Sequence, residues 1–489
     1  MQFNSLAYIL FLPAVAVLYF LAPVRLKNPV LLVASYFFYM NWNAVYALLM
    51  LASTAMTYAS GLLIAKATRD SQKKWAVGLC FAINLGILFF FKYFHFASDT
   101  VREMARMLFS VDLRRPTLDV LLPVGISFYT FQALGYTVDV YRGKLEPVRN
   151  FFQYALFVAF FPQLVAGPIE RATHLLDQFS RTYPFDFERM RSGALLIGWG
   201  LFKKMVVADR LAIVTNQVYG DVRAYTGVPL LFATLCFAFQ IYCDFSAYSD
   251  IARGSARILG FSLMKNFRTP YLARSIREFW QRWHISLSSW FRDYLYIPLG
   301  GSRRGKTRKT INLLVVFLVS GLWHGAAMTF VVWGLLNGLY QVIGELTQPA
   351  RMRVREKLGI SVHSMGHRLF QIAVTFALTL TAWVFFRADN IADALYAASR
   401  MWLPNLWTLT DGTLLSLGLA LPDLLLGAVG VLAVMGVEWL AQRVDVKAVL
   451  VRQPLPYRWA LYLCLVFGIL VFGSYGMGYA EQSFLYFQF

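Results

Sequence analysis

Long charge-free apolar runs alternate along the chain with short clusters of basic residues. The runs are Ser5–Val24, Asn28–Ala65, Trp75–Phe91, Val120–Val138, Phe151–Ile169, Ala224–Cys243, Thr310–Gly344, Leu369–Phe386, Leu424–Val437 and Trp459–Ala480, with a shorter one at Ser192–Phe202. A helix needs about 20 apolar residues to cross a bilayer. Asn28–Ala65 has 38 residues and Thr310–Gly344 has 35, so each is long enough for two helices. The pattern predicts roughly ten to thirteen transmembrane or re-entrant helices, hence an all-α polytopic membrane protein. No linker, repeat or low-complexity tract interrupts it, and one integral-membrane domain over 1–489 is expected.

Composition agrees with the pattern. Of 489 residues, 58% are hydrophobic and 15% are charged, against about 25% charged in a soluble domain. This excludes disordered, collagenous and disulfide-framework classes. The start MQFNS has no Lys or Arg, and no small-residue cleavage site follows the first run, so no cleaved leader is expected. The four cysteines (Cys80, Cys236, Cys243, Cys464) all lie in apolar runs without a C-x-x-C pair. Buried free thiols are expected, and no metal site.

The net charge of +20 comes from 46 Lys and Arg against 26 Asp and Glu. In a membrane protein this excess belongs in cytoplasmic loops, not on nucleic acid. Arg25 with Lys27, the cluster at 66–74, GSRRGKTRK at 301–309 and RMRVREK at 351–357 are all predicted to face the cytoplasm. Cysteines introduced at Ser71 and Ser302 should therefore resist an impermeant thiol reagent in whole cells and react in inverted vesicles. Labelling of either from outside would contradict this topology. Residues 251–309 hold 13 basic residues and two acids, a net +11. Such an apron suits a polyphosphorylated cosubstrate or anionic headgroups, although plain topology-setting loops account for it too.

With basic segments on both flanks, the Thr310–Gly344 run must enter the membrane and return. His324 lies near its middle, in GLWHGAAMTF. An ionisable side chain at membrane depth is costly and marks a functional site by default. Gly321 and Gly325 allow a helix break or a close approach. A neutral imidazole suits a general base, and a core histidine bonded to a carbonyl is the alternative. His284 lies in REFWQRWHISLSSWFRDYLYIPLGG, among Trp280, Trp283 and Trp290, with Arg282, Arg292 and Asp293 close in sequence. This segment reads either as a cosubstrate cleft or as an interfacial aromatic belt. Asp244 and Asp250, in YCDFSAYSDIARG, could orient a histidine or hydroxyl, or cap a following helix. His95, His174, His363 and His367 are weaker candidates. No HExxH, GxSxG, Walker A or dinucleotide-binding pattern occurs in a proper context.

These stretches resemble the membrane-bound O-acyltransferase family, in particular its alginate O-acetyltransferase subgroup. The resemblance is carried by LLPVGISFYTFQALGYTVDVYRG (121–143), FVAFFPQLVAGPIER (157–171), YCDFSAYSDIARG (242–254), NFRTPYLARSIREFWQRWHISLSSWFRDYLYIPLGG (266–301), GLWHGAAMTFVVWG (321–334) and the closing FLYFQF. It implies a ring of helices around a thin central region crossed by a tunnel, with 242–334 as the catalytic core. It implies that the family's invariant histidine is His324 and its second motif histidine is His284. Arg282, Arg292, Asp293, Trp283, Trp323, Asp244 and Asp250 are then the expected donor-binding or supporting residues. It also implies transfer of an acyl group from a cytoplasmic thioester, with acetyl-CoA as donor substrate and no resident cofactor. The group leaves for an extracytoplasmic polysaccharide, with an SGNH-hydrolase-like partner, from a bacterial inner membrane. D-alanylation and peptidoglycan O-acetylation are the alternatives within the family. A transporter or flippase is the non-enzymatic one.

Overall fold

The computed structural model describes residues 1–114, 121–475, 484 and 485. Val120, residues 476–480 and the last four residues of FLYFQF lie outside them. Among the described residues the secondary structure is helical and there is no strand. Six helices are long and apolar enough to cross a membrane: Ala44–Lys66, the continuous Asp70–Phe109, Val228–Leu259, Met365–Arg387, Leu421–Leu440 and Leu455–Phe472. The chain falls into two compact units, residues 1–194 with 251–264, and residues 195–250 with 265–489.

In the first unit, capping side chains set several helix starts: Ser5 accepts from Tyr8 N–H, Asn43 from Val45 N–H and Asn150 from Phe152 N–H. The Asn28–Ala65 run does form two helices, Lys27–Met40 and Ala44–Lys66. Polar side chains join helices inside the unit. Ser53 donates to Asn84 Oδ1 at 2.6 Å, and the Tyr154 hydroxyl donates to Thr57 Oγ1 at 2.8 Å. In apolar surroundings such bonds hold helices together.

Two expectations for this unit need correction. The run Phe151–Ile169 is not one helix, because the helix Phe151–Ala159 stops before Pro162 and turns fill 161–167. Proline lacks the N–H a helix needs and constrains the residue before it. The segment is still buried, and Glu170 at its end bonds Met264 N–H and His174. The other correction is length. The Trp75–Phe91 run belongs to a helix that continues through a π-turn at 89–93 to Phe109.

In the second unit, Gly305–His324 and Met328–Leu346 form an antiparallel hairpin, reversing over 325–327. The 310–344 run therefore doubles back on itself. At 1.5 Å rise per residue, the 20-residue first helix is about 30 Å long. His324 thus sits at the hairpin tip, far from the basic segments at its base, where Lys309 pairs with Glu345. The two helices touch backbone to backbone. A Cβ on Gly321 would lie 2.2 Å from Phe330 O, and one on Gly334 would lie 2.4 Å from Phe317 O. Larger residues would force the hairpin apart.

Leu455–Phe472 buries no residue within the protein. Its Cys464 is exposed, whereas Cys80, Cys236 and Cys243 are buried. The expectation of four buried thiols fails at Cys464 because an apolar helix facing lipid needs no protein cover.

Candidate active site

His284 is held by an unusual turn. It precedes the short helix Ile285–Phe291 in a left-handed conformation, φ 45°. A non-glycine residue there is strained. Asn266 over-determines the turn: its carbonyl accepts from Ile285 N–H at 3.0 Å and its side-chain oxygen from Ser286 N–H at 3.2 Å. Arg268 N–H adds a bond to Arg282 O. The fixed turn sends the His284 ring inward, 6.4 Å from the His324 ring between centroids. The sequence reading placed these residues 40 apart, and the fold brings them together.

Aromatic rings enclose the pair. His284 lies 4.7 Å from Phe245 and 5.9 Å from Trp323. His324 lies 5.0 Å from Trp323, 5.0 Å from Trp333 and 5.4 Å from Phe386. Both histidines are buried. Burial drives the His284 imidazole down to about 3, favouring the neutral ring.

The remaining candidates divide. Trp283 is buried, its ring 5.9 Å from Tyr242 and 5.0 Å from Trp383. Trp280 donates to Asn337 Oδ1, and Trp290 is buried as well. The interfacial-belt reading of the three tryptophans is therefore set aside, since they pack between helices. Arg282 is tied to Glu278 at 2.5 Å and bonds Thr269. Arg292 is largely exposed and pairs with Asp293 at 2.8 Å.

Asp244 and Asp250 do not cap a helix. They lie within the 32-residue helix Val228–Leu259, because the apolar run and YCDFSAYSDIARG are continuous. Lys204 Nζ donates to Asp244 at 2.7 Å and pairs with Asp209 at 2.8 Å. Lys203 Nζ donates to Asp250 at 2.7 Å and to Ser246 Oγ at 2.8 Å. Asp244 also accepts the Leu485 N–H at 2.8 Å. Both lysines are buried, and a buried charge must be paired. Lys203 and Lys204 directly follow the short apolar run Ser192–Phe202 and were not singled out from the sequence. The missed signal was complementary: two acids six residues apart in an apolar helix require two cations.

A cavity of about 330 Å³ opens beside this network, lined among others by Lys204, Asp209, Gln240, Thr329, Phe330 and Arg387. Thr329 and Phe330 stand at the hairpin tip, and Arg387 ends Met365–Arg387. Gln240, Asn266, Asp209 and Arg387 were not singled out from the sequence.

Comparison with known proteins identifies the family. The model of the MBOAT, membrane-bound O-acyltransferase, family matches residues 41–361. The probable alginate O-acetylase AlgI of Pseudomonas syringae pv. tomato is 40% identical over 408 residues, covering 82% of this chain and 74% of its own. The peptidoglycan O-acetyltransferase of Helicobacter pylori is 34% identical over 425 residues, covering 80% and 78%. The teichoic acid D-alanyltransferase of Streptococcus thermophilus is 27% identical over 242 residues, covering 47% and 58%. With two histidines side by side in a helical membrane protein and a family match over most of its length, the chain belongs to the membrane-bound O-acyltransferase family and is an O-acyltransferase.

Proposed function

We propose that this protein takes an acetyl group from acetyl-CoA at its basic cytoplasmic face and passes it through the membrane for O-acetylation of an extracytoplasmic polysaccharide, alginate or another exopolysaccharide. The observation that carries this reading is the His324–His284 pair, 6.4 Å apart, at the tip of a hairpin whose base bears the basic loop. His324 takes the proton of the acceptor hydroxyl as its oxygen attacks the thioester carbonyl. The C–S bond breaks, and the proton passes from His324 to the departing thiolate. Neutral His284 orients the reacting groups from the donor side. An SGNH-hydrolase-like partner on the far face completes delivery to polymer, in a bacterial inner membrane. The AlgI relatives support the acetyl and polysaccharide parts. The peptidoglycan and teichoic acid relatives keep a different acceptor, or a D-alanyl donor, as the second reading.

The test is thioester consumption by purified protein with its partner. Acetyl-CoA should be consumed and a D-alanyl carrier protein left intact, and the reverse preference would assign the second reading.

Within this reading, arginines of the apron hold the donor's phosphates, to which Arg offers a bidentate fork that Lys lacks. Exposed Arg292 is placed to do so, with Arg303 and Arg304 contributing less from their glycine-flanked loop. Arg292→Ala should raise KM for acetyl-CoA with little change in kcat, the mark of lost uniform binding. Arg282→Ala should lower kcat instead, since its bonds to Glu278 and Thr269 support the turn that carries His284. Steady-state kinetics against acetyl-CoA separate the two effects. Unchanged KM in Arg292→Ala would mean that this arginine does not contact the donor.

A further inference from the structure

We propose that Phe330 and Phe386 form an aromatic partition between the polar cavity and His324 that holds water off the thioester. The inference rests on His324 acting in acyl transfer.

Both phenylalanines line the cavity. Phe386 lies 5.4 Å from the His324 ring, and Phe330 meets Phe386 edge-on at 5.0 Å. The Phe330 ring lies directly over Gly325, the residue after His324: a Cβ there would fall 2.0 Å from the ring. Glycine at 325 is what lets the ring close down beside the histidine. Phe386 is itself edge-on to Trp333 and Trp383, each at 5.3 Å, and Phe330 stands in the first turn after the three-residue reversal of the hairpin.

The cavity is built for polar occupants. Gln240 is buried, lines the cavity, and its side-chain oxygen has no hydrogen-bond partner among the described residues. A buried acceptor of this kind requires a donor, which a hydroxyl supplies. Water supplies one equally well, and water is the competing nucleophile. In that side reaction its oxygen forms the new C–O bond, the C–S bond breaks, and one water proton goes through His324 to the thiolate. The products are free carboxylic acid and thiol, and the donor is wasted. Two apolar rings between hydrated cavity and base suppress this, in the way closure of an active site excludes water.

The experiment compares wild type, Phe330→Ala, Phe330→Leu and Gly325→Ala for two rates: acetyl transfer to acceptor, and acetyl-CoA hydrolysis without acceptor. Hydrolysis should rise severalfold in Phe330→Ala and in Gly325→Ala, where the new methyl displaces the ring, and stay near wild type in Phe330→Leu. The extra hydrolysis should vanish when His324→Ala is added. A folded Phe330→Ala protein whose hydrolysis matches wild type, while wild type transfers normally, would overturn the partition and leave the acyl-transfer reading intact. Absence of transfer by wild type would overturn that reading and the partition with it.

Discussion

His324→Ala should abolish acetylation of the acceptor while leaving the protein in the membrane. Loss of a general base typically costs 10²–10⁴-fold in rate. The histidine is also a packing residue, enclosed by Trp323, Trp333 and Phe386, so truncation to alanine alone mixes two effects. His324→Gln separates them by keeping much of the volume and a polar end without the base. Both variants should insert at wild-type yield and elute as wild type does, and both should lose activity to a similar degree. Near-normal acetylation by either variant would remove His324 from the chemistry.

Lys204→Met should be the most destabilising single change in the second unit. It deletes the cation shared by Asp209 and Asp244, all three buried. Breaking a buried pair by removing one partner costs about 3–5 kcal/mol, because an uncompensated charge is left behind. The loss should appear as reduced yield and an earlier thermal transition in detergent. Lys204→Met combined with Asp209→Asn and Asp244→Asn should be less damaging than Lys204→Met alone, since no charge is stranded. Asp244 also receives the Leu485 N–H, so part of the loss in the single variant reflects release of that contact. Wild-type thermal stability in Lys204→Met would show that the pair is not a structural centre of the unit.

Part of the candidate site was legible in the sequence for a physical reason. A histidine between glycines in an apolar run is expensive unless it has a use, which singles out His324, and the basic flanks require that run to double back, as the hairpin does. His284 stands out by its aromatic motif, and only the fold shows that its ring lies near His324. Other features depended on three dimensions. Asp244 and Asp250 looked like helix caps because short polar residues follow an apolar run, but the helix ran on and set their carboxylates against Lys203 and Lys204. Those lysines directly follow a short apolar run, and no local signal marks them as partners of distant acids. Asn266 carries no local signal at all; its role appears only once the His284 turn folds against it. The break at Phe160 was signalled by Pro162 and Gly167, which the unbroken apolar character of 151–169 concealed. Arg282, expected among the donor-binding or supporting residues, pairs with Glu278 one helical turn earlier.

The central claim is that an acetyl group enters on the basic side and leaves on the other through His324. Inverted membrane vesicles supplied externally with radiolabelled acetyl-CoA, and loaded with partner and polymer, test it most directly. Wild type should place label in the lumen as an alkali-labile ester, protected from external esterase, and His324→Ala should place none there. Luminal ester at equal rates in the two proteins, or ester formed only outside, would contradict the account.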